Sequence, residues 1–303
     1  MNTAAILAIA LILDAIFGEP DWLWRRLPHP AVLMGRAVGW LDETFNQGTA
    51  RKLKGAVTFA ALGLAAGLLG LALAELPGSP IIQTAIAAIL LAQKSLTTHV
   101  RDVADAMRQS LPAGRRAVAK IVGRDTTSMD APAIARGAIE SAAENLSDGI
   151  VAPAFWYLIA GLPGLLVYKI TNTADSMIGY RTDRHRDFGW AAARFDDLLN
   201  WIPARLTAAL IALSHGRTDS KIIRRDAKLH RSPNAGWPEA AMAVQLNIAL
   251  SGPRSYNGIM QDFPFVHPEG RKNLGPNDIE AAAAVLWRVW WAVLFVTLLI
   301  AVA

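Results

Sequence analysis

Uncharged stretches punctuate this chain, and their lengths set the first expectations. Residues 55–74 carry no charge and are long enough to cross a bilayer core of about 30 Å as a helix rising about 1.5 Å per residue. A second span is predicted near 285–303, where Trp290-Trp291 suits an interfacial anchor. Shorter apolar stretches near 3–17 and 80–93 complete the predicted spans. The first lacks a basic leading region and a cleavage site before Gly18-Glu19-Pro20, and it carries Asp14, so it reads as a retained helix rather than a secretory signal. Residues 150–170 are apolar but interrupted by Gly161-Leu162-Pro163-Gly164, a pattern that predicts a broken, re-entrant hairpin. Residues 202–214 are short and contain Pro203 and Arg205, which favours an interfacial or second re-entrant helix. Residues 216–278 are polar and rich in turn formers and predict a helical and loop lobe, after which Asn277 or Asp278 caps the last helix.

The expected fold is therefore an all-α, polytopic integral membrane protein built as a single membrane-embedded domain over 1–303. Composition agrees: 53% hydrophobic, 18% charged, mean hydropathy +0.28. Arg25, Arg26, Arg36, Arg51, Lys52 and Lys54 precede one span, and a second basic segment runs from Lys94 to Arg136. Both segments are expected on the cytoplasmic side, as is the 216–278 lobe with its Arg217, Lys221, Arg224, Arg225 and Lys228. The same rule accounts for the net charge of +5 without invoking nucleic acid, which is not an expected partner. Cysteine is absent, so disulfides and thiolate-bound metals are excluded. No Gly-x-x-x-x-Gly-Lys-Ser/Thr loop, nucleophile elbow or zinc-like histidine spacing occurs.

Candidate chemistry concentrates between Arg136 and Arg194. Arg136, Glu140, Glu144 and Asp148 recur every four residues and would share one helical stripe. Carboxylates stacked this way repel one another unless a cation or cationic substrate lies between them. With Asn145, Asn172 and Asp175 they offer the oxygen donors that suit Mg²⁺, which keeps several waters and bridges substrate phosphates. Arg124, Lys169, Arg181, Arg184 and Arg186 can hold those phosphates. The competing reading is a polar seam between helices, with Glu140 paired to Arg136. Asp130 is placed to cap the acidic helix, with Pro132 in its first turn. Lone His29 and His99 read as structural or interfacial.

These residues lie in a larger pattern. Leu13-Asp14, Gly18-Glu19-Pro20 and Pro28-His29-Pro30 through Met34-Gly35-Arg36 are followed by Gly123-Arg124-Asp125-Thr126 and Glu144-Asn145-Leu146-Ser147-Asp148-Gly149. Then come Asn172-Thr173-Ala174-Asp175-Ser176-Met177-Ile178-Gly179-Tyr180, Phe188-Gly189-Trp190 through Arg194-Phe195-Asp196-Asp197, Asn200-Trp201-Ile202-Pro203 and Arg231-Ser232-Pro233-Asn234 through Trp237-Pro238. In this order, over most of the chain, they resemble adenosylcobinamide-phosphate synthase, the CobD/CbiB membrane family of cobalamin biosynthesis. Glu19 departs from the Asp commoner there, one carboxylate for another.

The resemblance implies ATP-dependent amide ligation of adenosylcobyric acid with (R)-1-amino-2-propanol phosphate or a related amino alcohol phosphate. ATP is the co-substrate, Mg²⁺ the cofactor, and the active site faces the cytoplasm from the inner cell membrane. On this reading Glu140, Glu144, Asp148 and Asp175 are the catalytic candidates, and Glu144, Asp148 and Asp175 the metal ligands. Arg124, Lys169, Arg181 and Arg184 hold phosphate; Asp125, Thr126, Asn145, Asn172 and Ser176 complete the substrate-binding set. The implied partners are the corrinoid, the amino alcohol phosphate and membrane lipid, with other membrane enzymes of cobalamin assembly as candidates. A membrane sensor or regulator and an anion transporter on the same scaffold remain the alternatives.

Overall fold

The computed structural model describes every residue except His215, Arg217, Thr218 and Asn257, and only the backbone of Asp21. Arg217 of the basic segment therefore lies outside the described residues. In chain order the helices are α1 (Thr3–Phe17), α2 (Asp21–Trp24), α3 (Pro30–Phe45), α4 (Arg51–Ala74), α5 (Ser79–Leu90), α6 (Gln93–Gln109) and α7 (Leu111–Val118). Next come α8 (Ala131–Leu146), a π turn (Ser147–Val151), α9 (Ala152–Ile178), α10 (Trp190–Leu199) and α11 (Trp201–Ser214). The chain ends with α12 (Ser220–Asp226), a 3-10 turn (Ala227–Leu229), α13 (Gly236–Leu246), four short strands and α14 (Pro276–Val302). The strands make two antiparallel pairs, β1 (Leu250–Ser251) with β4 (Phe265–Val266) and β2 (Arg254–Tyr256) with β3 (Ile259–Gln261). The chain is mostly helical, as expected, and these pairs add a little sheet. Strands of two or three residues are too short to leave an alternating pattern in the sequence.

Among the described residues, four segments, 51–74, 79–109, 131–178 and 276–302, are long and apolar enough to cross a membrane. α4 makes the physical case: only 6% of its most apolar window is buried. Leu64, Leu68, Leu69 and Leu71 are all exposed along it. An apolar surface this continuous is unfavourable in water and is what a lipid-facing helix presents. The end of α14 repeats the pattern with Phe295, Leu298, Leu299 and Ile300 exposed. α1, at 15 residues, is shorter than these four.

The chain divides into two compact units: residues 1–92, 152–201 and 296–303 form one, and 93–151 with 202–295 the other. In the first, α9 packs against α3, α4, α5 and α10. Its core joins Val38, Ile170, Ala174, Ile178, Phe188 and Ala192. α9 breaks where the sequence predicts, at Ala160 (φ −133°, ψ 17°) and Gly161 (φ 61°, ψ −154°), just before Pro163. The positive φ needs glycine, and Pro163 has no N–H to continue the ladder. The turn is sharp: a Cβ on Gly164 would stand 2.5 Å from the Trp156 carbonyl oxygen, eight residues earlier. A straight helix would separate them by about 12 Å. α4 crosses this break at Gly70, where a Cβ would come within 2.6 Å of Pro163 Cα.

In the second unit α8 packs against α6, α7, α13 and β1, and its buried face runs from Ile134 to Leu146. Asp130 caps it as predicted, its carboxylate accepting from Ala133 N at 2.8 Å, with proline in the first turn. The four-residue stripe is not carried through, however. α8 gives way to the wider π turn at Ser147, so Asp148 leaves the α-helical register that Glu140 and Glu144 share. Asp278 lies in the first turn of α14 and accepts from Gly275 N at 2.9 Å.

Replacing Gly70 with valine should lower the unfolding midpoint in detergent, on the order of 1–3 kcal/mol for an overpacked contact. Gly63→Val is the control, because a side chain there meets nothing within 4 Å. Equal behaviour of the two variants would refute the α4 crossing.

Candidate functional site

A buried carboxylate organises the second unit. Glu140, on α8, accepts from Arg124 Nη2 at 2.6 Å, from the Ser251 backbone N–H at 2.7 Å and from Arg254 Nη1 at 3.5 Å. The Arg124 and Glu140 side chains are 7% and 9% exposed, so this pair is largely dry and strongly coupled. Arg254 also donates to Ser251 Oγ at 2.7 Å. Gly137, one turn before Glu140, gives the guanidinium room: a Cβ there would stand 2.8 Å from Arg124 Nη2. Asp125 pins the same loop to the β2–β3 hairpin, accepting from Ser255 Oγ at 2.6 Å and Gly258 N at 2.7 Å.

A cavity of about 340 Å³ opens beside these groups, lined by Arg124, Ser128, Asp130, Arg136, Arg254 and Ser255 among others. Three guanidiniums thus converge on one space. The Nε atoms of Arg136 and Arg254 are buried without a hydrogen-bond partner. Aromatic rings hold the cations in place: Arg254 sits 4.7 Å over Phe263 and Arg136 5.2 Å over Phe265. Such a set suits a multiply charged oxyanion, which Arg can engage at two points.

Behind it, Glu239 on α13 is buried, with Oε1 unpartnered and Oε2 3.5 Å from His230 Nε2. Burial and the charge of Glu140 push the Glu239 carboxyl well above the usual range. Burial and the Arg254 charge pull His230 down. His230 Nδ1 accepts from Ser232 N at 3.0 Å, which places the ring proton on Nε2.

A second group of carboxylates lies in the first unit. Asp196 on α10 accepts from Asn200 Nδ2 at 3.0 Å and is also hydrogen-bonded by Asn172 of α9. Tyr168 donates to Asn200 Oδ1 at 3.0 Å and fixes that amide. The Oδ1 atom of Asp196 is buried without a partner. Burial and the charge of Asp175 push Asp196 up to about 7. Asp197 is raised by burial, opposed by Arg194 and Arg181. Glycine is required at 179, since a side chain there would collide with the Asp175 carboxylate.

The model of the CobD/Cbib protein family matches residues 7–286. This chain belongs to the CobD/CbiB family. It is 48% identical over 300 residues to the cobalamin biosynthesis protein CobD of Sinorhizobium fredii, covering 93% of this chain and 92% of that one. It is 49% identical over 301 residues to the protein of the same name from Rhizobium meliloti, with the same coverage. Against that of Rhodobacter capsulatus it is 43% identical over 314 residues, covering 100% of this chain and 98% of the relative. No solved structure matches it.

In this CobD/CbiB chain the residues singled out from sequence are distributed over the two groups. Arg124, Asp125, Glu140 and, more exposed, Glu144 and Asn145 belong to the second unit, with Asp148 half-buried in the π turn. Asn145 Nδ2 turns back on Ser141 O at 2.9 Å, and Thr126 lends its carbonyl to Met129 N at 3.2 Å. Glu140 is bound by Arg124 and Arg254, not by Arg136 as the seam reading had it. Asn172 and Asp175 belong to the first unit, as do Lys169 and the exposed Ser176, whose hydroxyl donates to Asn172 O at 2.8 Å. Arg181 is exposed there. Arg184 is committed elsewhere: Nε and Nη2 both donate to Asp42 Oδ2, at 2.9 and 2.7 Å. Burial opposes the Asp42 charge, but Asn46 and Arg184 hold it below the usual carboxylate range. Arg254, Glu239, His230, Asp196, Asp197 and Asn200 were missed as site residues. Arg254 and Glu239 are distant in sequence from the acidic stripe, and no local spacing links them to it.

Glu140→Ala strands two guanidiniums and should cost about 3–5 kcal/mol, measured by unfolding in detergent. Pairing Glu140→Leu with Arg124→Met should recover part of that loss. The Asp196 carboxyl is raised in the folded state, so its contribution is present below the unfolded value and lost as pH rises through the folded one. The melting temperature should therefore fall between about pH 4 and about pH 7, with a shallower slope in Asp196→Asn.

Proposed function

We propose that this protein acts in cobalamin biosynthesis as an ATP-dependent ligase joining adenosylcobyric acid to (R)-1-amino-2-propanol phosphate or a related amino alcohol phosphate. The observation that carries the reading is the cavity where Arg124, Arg136 and Arg254 converge with two guanidinium nitrogens unpartnered. Its chemistry suits a phosphate group of ATP or of the amine. Glu140 then acts as a positioning residue that fixes Arg124 and Arg254. Arg181 and Lys169 remain candidates for a second phosphate. The relatives' shared name supports the pathway.

A carboxylate is a poor acyl donor. In the proposed reaction its oxygen attacks the γ-phosphorus of ATP, ADP leaves, and an acyl phosphate forms. The amine then attacks the carbonyl carbon, phosphate departs, and a carboxylate takes the ammonium proton. Glu144 and Asp148 are proposed to bind that ammonium. Glu144, Glu140, Arg124 and Arg254 all act on buried Glu239, so they share one electrostatic neighbourhood. The donor set at Asp175, Asp196 and Asp197 fits Mg²⁺, because Asp196 Oδ1 is an orphaned acceptor among like charges. A bound Mg²⁺ would neutralise developing phosphate charge. The proposed setting is the inner cell membrane, with both groups reached from the cytoplasm and the broken α9 as a re-entrant element. Membrane lipid and other enzymes of cobalamin assembly are the proposed neighbours.

Purified protein in detergent, given adenosylcobyric acid, aminopropanol phosphate, ATP and Mg²⁺, should yield amide and ADP in equal amounts. Arg136→Ala and Arg254→Ala should each raise KM for a phosphate-bearing substrate at least about tenfold. Product formation without ADP would overturn the acyl-phosphate route, and neither product nor ADP from folded protein would overturn the ligase and leave a regulator or transporter. Wild-type turnover by both Asp148→Asn and Asp175→Asn would refute the carboxylate assignment.

A further inference from the structure

Outside both groups, Asp226, His267 and Glu269 of the second unit bring one ligand atom each within 4.8 Å of one another. Asp226, at the end of α12, is fully buried, and its Oδ2 accepts from His267 N at 2.9 Å. Arg225 currently neutralises the carboxylates, donating to Asp226 at 2.6 and 3.1 Å and to Glu269 at 3.1 and 3.2 Å. A plain ion-pair staple would explain those contacts, but it leaves the histidine unexplained. His267 is 8% exposed, and its Nε2 lies 3.2 Å from Asn247 Oδ1. An amide oxygen only accepts, so Nε2 carries a proton, and in the neutral ring, the form that binds a metal, Nδ1 presents a lone pair. That Nδ1 is buried without a hydrogen-bond partner and lies 3.6 Å from Glu269 Oε2. A lone pair turned toward a carboxylate is unfavourable unless a cation comes between them.

The geometry points to a binding site for a zinc-class divalent cation, held by His267 Nδ1, Asp226 and Glu269, with Arg225 standing in its place when the metal is absent. Three features support it. Metal-ligating histidines characteristically donate their second ring N–H to an oxygen acceptor, the role Asn247 plays here. An imidazole with two carboxylates favours Zn²⁺ or Mn²⁺ over the all-oxygen coordination preferred by Mg²⁺. The Arg225 side chain is 52% exposed and can withdraw to solvent. Bonds of about 2.0–2.2 Å require ligand atoms roughly 3.4 Å apart, so closure from within 4.8 Å is a contraction of at most about 1.4 Å. The bound ion would tie α12 to the segment following β4. The site is independent of the ligase reading and separate from the aspartate group assigned to Mg²⁺.

Chelator-stripped protein in detergent would be titrated with Zn²⁺ against a chromophoric chelator, with Mn²⁺ binding followed by electron paramagnetic resonance. Wild type should take up a tight Zn²⁺ that also raises the melting temperature. His267→Asn, chosen because His267 has φ 53° and asparagine tolerates that region, should weaken binding at least about tenfold. Exposed Glu269→Gln should do the same without loss of metal-free stability, and Arg225→Ala should tighten binding by removing the competing cation. No Zn²⁺-linked rise in melting temperature, or binding unchanged in both His267→Asn and Glu269→Gln, would overturn the site and leave an ion-pair staple.

Discussion

The buried Glu140 carboxylate must be neutralised where it stands, and the second unit is arranged around that requirement. It draws in Arg124 from the loop before α8, Arg254 from β2 and the Ser251 amide from β1. Segments more than a hundred residues apart are thereby fastened to one helix. The interaction is asymmetric: a dry ion pair adds little net stability when complete and costs much when one partner is lost. Its value lies in placement. Two arginines held by one carboxylate cannot drift, and beside Arg136 they form a preorganised cationic surface.

The first unit shows the opposite arrangement. Asp175, Asp196 and Asp197 gather there; Arg194 and Arg181 act on Asp197, while amides from Asn172 and Asn200 meet Asp196. Burial, and then the charge of Asp175, push the Asp196 carboxyl up to about 7. Such a cluster is costly in itself, and it is the kind of cost that functional groups in membrane proteins carry. By contrast, Asp42 with Arg184 and Asn46 is fully paired and reads as a fastener for the segment before α10.

Regular elements were legible where a single physical signal dominated. The uncharged 55–74 run became α4, Asp130 and Pro132 started α8, and Gly161 with Pro163 broke α9, because length, capping and backbone restriction act within a few residues. The acidic stripe was legible only as far as Leu146. A π turn inserts its extra residue through hydrogen bonding that no side-chain pattern announces, and Asp148 moved with it. The short β pairs in 250–266 were invisible for the same reason: two or three residues carry no period.

The sequence by itself determined that the chain is a helical membrane protein with charged groups concentrated in a few motifs, since hydropathy and local spacing are properties of the chain alone. It also carried the family, because ordered motifs over most of the length survive without any knowledge of the fold. Only the tertiary structure decided partners. Glu140 takes Arg124 and Arg254 instead of its helical neighbour Arg136, and Arg184 serves Asp42. Glu239 is buried beside His230. Desolvation and ion pairing depend on which surfaces meet, and those meetings join residues too far apart in sequence for spacing to reveal.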